Sequence, residues 1–150
     1  MVDGISKFTN LKSLSLYDTE FTEKLDFGNF SNLKNLTSLE IHYTPSNPSN
    51  RFIQVDMLKS FKFLKSLIMA HAEYYEDTIN AISDMTNLEE LKLDGIIYKA
   101  DLDLSSIKKL ENLSSLLISC YSDHIISSDF LYLTKLKSLT LILYLFSIFE

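Results

Sequence analysis

The chain has 150 residues and a formal net charge of −6, and 46% of its residues are hydrophobic. This length and apolar content suffice for one folded domain with a sizeable core, and they exclude a disordered chain. An acidic chain without a basic cluster is a poor partner for nucleic-acid phosphates and for anionic membrane surfaces, so neither partner is expected. The single cysteine, Cys120, excludes an internal disulfide bond.

The first residues, Met1 to Gly4, lack the basic start and the apolar run of a signal peptide. The apolar segment from Leu139 to Phe149 is too short to span a bilayer, which takes about 20 residues. Together with the single cysteine, which suits a reducing compartment, these features favour an intracellular location.

An apolar ladder recurs along the whole chain, in steps of three residues that shorten to a final step of two. The last three apolar residues of the copies are Leu11-Leu14-Leu16, Leu36-Leu39-Ile41, Leu64-Leu67-Met69, Leu88-Leu91-Leu93, Leu113-Leu116-Ile118 and Leu136-Leu139-Leu141. Successive copies begin this segment 25, 28, 24, 25 and 23 residues apart. Such a period is typical of a solenoid whose repeat is one strand plus one return segment.

Each copy contains two kinds of spacing, and each spacing predicts a different element. The final two-residue step predicts a short strand with one buried face. The earlier steps of three predict a short helix or 3₁₀ turn. These return segments carry Phe27-Phe30-Leu33, Val55-Leu58-Phe61, Ile79-Ile82-Met85 and Leu104-Ile107-Leu110. One continuous amphipathic helix is excluded, because the two-residue step breaks the helical phase in every copy.

Asparagine is the commonest residue immediately before the first leucine of these segments. The residues at this place are Asn10, Asn35, Phe63, Asn87, Asn112 and Lys135. Because asparagine tolerates the left-handed conformation that ends helices, we interpret it as the hinge between return segment and strand.

This pattern resembles that of the leucine-rich repeat family, most clearly in residues 8–16 and 85–93, and the resemblance covers nearly the whole chain. It implies an α/β solenoid, in which an open arc of parallel β-strands is concave and short helical or 3₁₀ returns lie on the convex side. It also implies protein–protein recognition as the usual role. We therefore expect a single leucine-rich repeat domain of about six repeats over residues 1–150.

One feature departs from the family pattern and leaves the subfamily open. Leucine-rich repeats often have asparagine three residues after the last apolar strand position. The residues at that place here are Thr19, Thr44, Ala72, Ile96, Tyr121 and Tyr144. We expect the main-chain polar groups of the post-strand turns to form hydrogen bonds with partners other than asparagine. We also expect the curvature of the solenoid to be irregular.

Strand side chains alternate, so the residues between the buried positions face outward together. The candidate partner-binding residues on and beside this concave face are Tyr17, Glu40, His42, Tyr43, His71, Glu90, Lys92 and Asp94. The carboxylates predict a partner with some basic character, and tyrosine offers contact area with one polar tip. The alternative is an ordinary solvated strand face. The column beside them is nearly all serine, which we interpret as structural.

No group of residues in the sequence indicates a particular reaction, so we expect the chain to be no enzyme and to bind neither a cofactor nor a metal. His42 and His71 follow neighbouring strands, but no short spacing between histidines supports metal binding. Cys120 lies two repeats beyond His71, at least about 10 Å away by strand spacing, which disfavours a Cys–His nucleophile pair. A small cysteine behind a strand is most often a packing residue.

The ends of a solenoid need caps, and neither end here has a polar capping helix. Three arrangements fit the apolar C-terminal repeat: the tail folds back as a cap, the repeat self-associates or docks on a partner, or the chain is a fragment of a longer array. We favour the third. The leading function is a module that binds a protein or peptide on the concave face, and the alternative is a structural fragment without its own binding role.

Overall fold

The computed structural model describes residues 2–17, 27–43, 55–96, 103–120 and 128–144. In these ranges a short helix and a strand alternate along the chain. The strands are β1 (Ser13–Leu16), β2 (Ser38–His42), β3 (Ser66–Glu73), β4 (Glu90–Ile96), β5 (Ser115–Cys120) and β6 (Ser138–Leu143). The α-helices are α1 (Val2–Ile5), α2 (Val55–Leu58) and α3 (Glu76–Ser83), and 3₁₀ helices span Phe27–Asn32, Ser105–Lys109 and Ser128–Tyr132. Within the described ranges no helix is both long and apolar enough to cross a bilayer.

The six strands form one parallel sheet in chain order, from β1 to β6. Parallel neighbours need a crossover connection, and the short helices supply it on one side of the sheet. The register aligns equivalent residues of the ladder in every repeat, so that Leu39 pairs with Leu67 and Leu67 pairs with Leu91. The predicted α/β leucine-rich repeat solenoid is therefore confirmed. We call the sheet face that points away from the helices the concave face.

The core lies between the sheet and the returning helices. Ladder residues from the inner strands, such as Leu67 and Leu91, are completely buried, and so are Leu58 and Ile82 from the helices opposite them. Each buried side chain of this size contributes about 1.5–3 kcal/mol relative to exposure. The apolar steps of two and of three residues thus meet in one continuous core.

The asparagines before the strands do not act as left-handed hinges, so that prediction is wrong. Among the described residues, His71 is the only one other than glycine with a positive φ angle. Instead, asparagine side-chain amides donate hydrogen bonds to main-chain carbonyls of the preceding repeat. The three bonds are Asn35 to Thr9 (2.9 Å), Asn87 to Lys62 (3.0 Å) and Asn112 to Thr86 (3.0 Å). This asparagine ladder ties successive repeats together at the edge where the strands begin.

Main-chain hydrogen bonds at the same edge fix the register. The Lys12 carbonyl accepts from the N–H groups of both Thr37 (2.9 Å) and Ser38 (3.0 Å). The Thr37 carbonyl in turn accepts from Lys65 (2.8 Å) and Ser66 (3.0 Å), and the pattern continues through to β6. Each strand therefore starts at a position set by the strand before it.

A β-bulge interrupts the regular pairing of β3 with β4. The register passes from Ala70–Asp94 to Ala72–Gly95, which leaves His71 as the extra residue, with φ of 58°. A Cβ atom at Gly95 would lie 2.5 Å from the Ala72 carbonyl oxygen, so only glycine fits at this close approach. The bulge turns the ends of these two strands where they border the concave face.

Candidate partner-binding face

The register places the outward side chains of the concave face in three rows. The first row contains Ser13, Ser38, Ser66, Glu90, Ser115 and Ser138. The second row contains Ser15, Glu40, Ile68, Lys92, Leu117 and Thr140. The third row contains His42, Ala70, Asp94, Ser119 and Ile142. The charged residues of these rows lie on β2 and β4.

Four side chains of the first two repeats form one connected group, which we call the Tyr17 cluster: Ser15, Tyr17, Glu40 and His42. The rings of Tyr17 and His42 are stacked, with centroids 4.5 Å apart and planes 18° apart. One Glu40 carboxylate oxygen lies 2.8 Å from His42 Nε2, and the other accepts a 3.0 Å hydrogen bond from the Ser15 hydroxyl. The cluster thus fixes both an aromatic surface and a carboxylate between β1 and β2.

The contacts within the Tyr17 cluster shift the ionisation of two of its groups. The hydrogen bond with His42 is the main cause that lowers the pKa of Glu40 below its ordinary value of 4.5, and the bond with Ser15 adds to it. The hydrogen bond with Glu40 raises the pKa of the Tyr17 phenol. Glu40 therefore stays ionised and Tyr17 stays neutral over the whole physiological range.

A second carboxylate on the concave face is held in a similar way. Glu90 accepts a 2.8 Å hydrogen bond from the Ser66 hydroxyl, and Lys92 Nζ lies 2.8 Å from its other oxygen. The hydrogen bond with Lys92 is the main cause that lowers the pKa of Glu90. Asp94 is exposed and makes no ion pair with any residue that the structure describes. The uncompensated negative charge of β4 therefore lies at Asp94.

The structure brings together most of the residues that the sequence nominated. Tyr17, Glu40 and His42 are in direct contact, while Glu90 and Lys92 form an ion pair on β4 beside Asp94. His71 is exposed at the β-bulge, at the border of the face. These placements give two separate polar groups, one at the β1–β2 end and one on β4.

Tyr43 does not lie on this surface. Its side chain is only 3% exposed, and burial raises the pKa of its phenol. It follows His42 in an alternating strand, so it points into the core side of the sheet. We therefore remove Tyr43 from the candidate contact residues.

Sequence reasoning missed the serine hydroxyls that hold the two glutamates. Ser15 and Glu40 are paired across β1 and β2, and Ser66 and Glu90 are paired across β3 and β4. The two residues of each pair occupy the same outward position in successive repeats, and this equivalence is the sequence signal that predicts the contact. The serines of this face are thus polar partners as well as small residues.

The remainder of the face is apolar or built from small side chains. Ile68 and Leu117 in the second row are partly exposed, and they flank Lys92. Ala70 and Ser119 in the third row are 5% and 1% exposed. Among the residues that the structure describes, no group of three or more His, Cys, Asp or Glu side chains is placed to hold a metal ion.

No protein-family model matches the sequence, and no curated protein matches it closely enough to count as a relative. Among solved structures, the chain is similar to the internalin inlF from Listeria monocytogenes, with a TM-score of 0.58 and 20% identity over 99% of this chain and 47% of that one. It is also similar to internalin C2 of that organism, with a TM-score of 0.52 and 19% identity over 95% of this chain and 74% of that one. The chain therefore spans about half the length of the first internalin. The repeated ladder, the parallel sheet and these two likenesses together show that this chain has the leucine-rich repeat fold.

Proposed function

We propose that this chain is a non-catalytic module that binds a protein or peptide partner on its concave face. The observation that carries the proposal is the Tyr17 cluster, in which an aromatic ring that is 59% exposed is nevertheless held in one position. Tyrosine is enriched among the residues that dominate binding energy at interfaces. A ring that is already stacked loses less conformational entropy on binding, which favours affinity.

The charges of the concave face bear on the chemistry of the partner. Lys92 compensates Glu90, so the acidic character is weaker than the residue types alone predict. Asp94 keeps an uncompensated charge, and Glu40 is held ionised by its neighbours. We therefore propose a partner that presents a basic side chain to each of these carboxylates and apolar contacts to the partly exposed Ile68 between them.

The test begins with a partner identified by proximity labelling, whose affinity is then measured for purified variants. Tyr17→Ala and Asp94→Lys should each weaken binding by about tenfold or more, since they remove an exposed aromatic contact and reverse a charge. Glu111→Lys is the matched control, because Glu111 is exposed and lies outside the concave face. Equal affinity of all three variants and the unchanged chain would contradict the proposal.

A second candidate function is supported by the last strand. Leu139 and Leu141 of β6 are 47% and 40% exposed, whereas Leu116 and Ile118, their partners in β5, are 1% and 0% exposed. In this view the apolar edge joins a second copy or continues into further repeats, and residues 1–150 form one leucine-rich repeat domain within a longer array. The chain would then serve as a structural part of an assembly.

A further inference from the structure

Lysines that are scattered through the sequence lie together at one edge of the sheet. This strand-entry edge consists of the segments that connect each helix to the following strand. It carries Lys12, Lys34, Lys62, Lys65, Lys135 and Lys137. Parallel strands all begin at the same edge, so residues about one repeat apart in sequence become neighbours in space. The folded chain therefore brings together lysines that form no cluster along the sequence.

A groove of about 900 Å³ runs along this edge from the second repeat to the sixth. Thr37, Phe63 and Lys65 line one end, and Lys135, Leu136 and Lys137 line the other. Phe63 is 62% exposed and stands where other repeats have the asparagine that ties neighbours together. The groove thus combines lysine side chains with one exposed aromatic ring.

The lysines of the groove are available to a ligand. Lys137 makes no ion pair with any described residue, and Lys135 donates a 2.6 Å hydrogen bond to the neutral Asn112 side chain. Lys65 lies 2.7 Å from Glu89, but the two side chains are 59% and 54% exposed. An ion pair this exposed contributes little, so a carboxylate of a ligand can replace Glu89.

We propose that this groove binds an acidic peptide segment that also carries an apolar side chain for Phe63. The repeats of Lys65 and Lys137 are three strand spacings apart, or ~14 Å. That distance corresponds to about four residues of extended chain. The peptide therefore places two acidic residues about four positions apart, with the apolar residue beside the first of them.

A peptide fits these observations better than a nucleic acid does. Glu89 lies in the middle of the groove and would repel an evenly charged phosphate backbone. A peptide has main-chain N–H groups and can place a neutral residue there. The site is separate from the concave face and opposite to it in charge, so this inference does not depend on the function proposed above.

The test uses the full chain and a fluorescein-labelled peptide in which glutamates surround one phenylalanine, with its glutamine analogue as the neutral comparison. Fluorescence anisotropy should show binding of the acidic peptide that weakens as salt increases. Replacing Lys65, Lys135 and Lys137 with glutamine should weaken it by about tenfold or more. The matched control replaces Lys59, Lys108 and Lys109, which lie at helices outside the groove and carry the same total charge, and it should bind normally.

Two further variants separate loss of binding from loss of folding. Glu89→Gln should bind the acidic peptide more tightly, because it frees Lys65. Phe63→Asn should bind it less tightly while its melting temperature stays the same or rises, because it introduces the asparagine used in other repeats. No binding of the acidic peptide, equal loss in the control, or tighter binding of a thymidine oligonucleotide of equal charge would overturn the proposal.

Discussion

The aromatic ring of Tyr17 is stacked on that of His42, and both residues contact the same carboxylate, that of Glu40. Tyr17 directly follows β1 and His42 ends β2, so the stack joins two repeats on the concave face. Because the stack fixes an exposed ring, the contribution of Tyr17 should appear in binding and hardly at all in folding.

Substitutions of Tyr17 should separate the contribution of its stacked ring to binding from that of its hydroxyl. Tyr17→Phe keeps the stacking ring and loses the hydroxyl, so we expect a partner affinity between those of the unchanged chain and Tyr17→Ala. All of these chains should unfold within about 1 kcal/mol of one another, since the side chain is exposed. Denaturant unfolding and titration calorimetry measure the two effects. A large loss of stability with unchanged affinity would assign Tyr17 a structural role.

The lowered pKa values of Glu40 and Glu90 predict how stability depends on pH. A carboxylate whose pKa is lower in the folded state stabilises the fold above its ordinary value of 4.5, and this contribution is lost as pH falls through the folded value. The melting temperature of the unchanged chain should therefore fall as the pH is lowered below 4.5. The double variant Glu40→Gln and Glu90→Gln should lose less over the same interval, whereas Glu111→Gln serves as the matched control. Parallel curves for all three chains would contradict the role given to these hydrogen bonds.

Gly95 should not tolerate a side chain. Gly95→Ala places a methyl group against the Ala72 carbonyl and the Tyr74 ring, at 2.5 and 2.6 Å, so we expect a loss of about 1–3 kcal/mol. Gly4→Ala is the control, because nothing lies within 4 Å of its added Cβ atom. Urea unfolding of both variants measures the difference. A Gly95→Ala chain as stable as the control would show that the β-bulge does not need glycine.

The asparagine ladder should contribute measurably to stability. Asn112→Ala removes the bond to the Thr86 carbonyl and the acceptor of Lys135, so we expect a loss of about 0.5–1.5 kcal/mol. Asn10→Ala is a matched control, because Asn10 has the same place in the first repeat and makes no side-chain hydrogen bond with a described residue. Equal unfolding free energies for the two variants would show that the asparagine ladder does not stabilise the fold.

The exposed apolar edge of β6 makes a prediction about association. If a second copy covers this edge, the unchanged chain should be dimeric by light scattering, and Leu139→Lys should be monomeric. Thr140→Lys introduces the same charge one residue away on the concave face and should leave the dimer intact. A monomeric unchanged chain at high concentration would exclude self-association and leave extension of the array as the structural alternative.

Much of the fold was predictable because the buried residues obey a strict period. The residues of the ladder occupy equivalent register positions in all six strands, and the steps of three fall on the helical returns. The β-bulge was not predictable, because it follows from one extra residue at His71 whose effect depends on Gly95 a repeat away. The meaning of the asparagines was also missed, since a bond to a carbonyl about 26 residues earlier leaves no local pattern.

The candidate site was predictable in its residue types and only partly in its contacts. Alternation correctly places Glu40, His42 and Asp94 on one face, but the compensation of Glu90 by Lys92 depends on side-chain conformations. The prediction that Tyr43 borders the face is wrong, because alternation after His42 turns its side chain toward the core. The basic edge was missed for a different reason, since charge clusters in a parallel solenoid form across repeats rather than along the sequence.

The most direct test of the account is the affinity of an identified partner for the Tyr17→Ala variant, compared with its affinity for Glu111→Lys, by titration calorimetry. We predict that Tyr17→Ala weakens the complex by about tenfold or more and that Glu111→Lys leaves it unchanged, with both variants folded. Equal affinities, or loss only in Glu111→Lys, would show that the partner does not bind on the concave face.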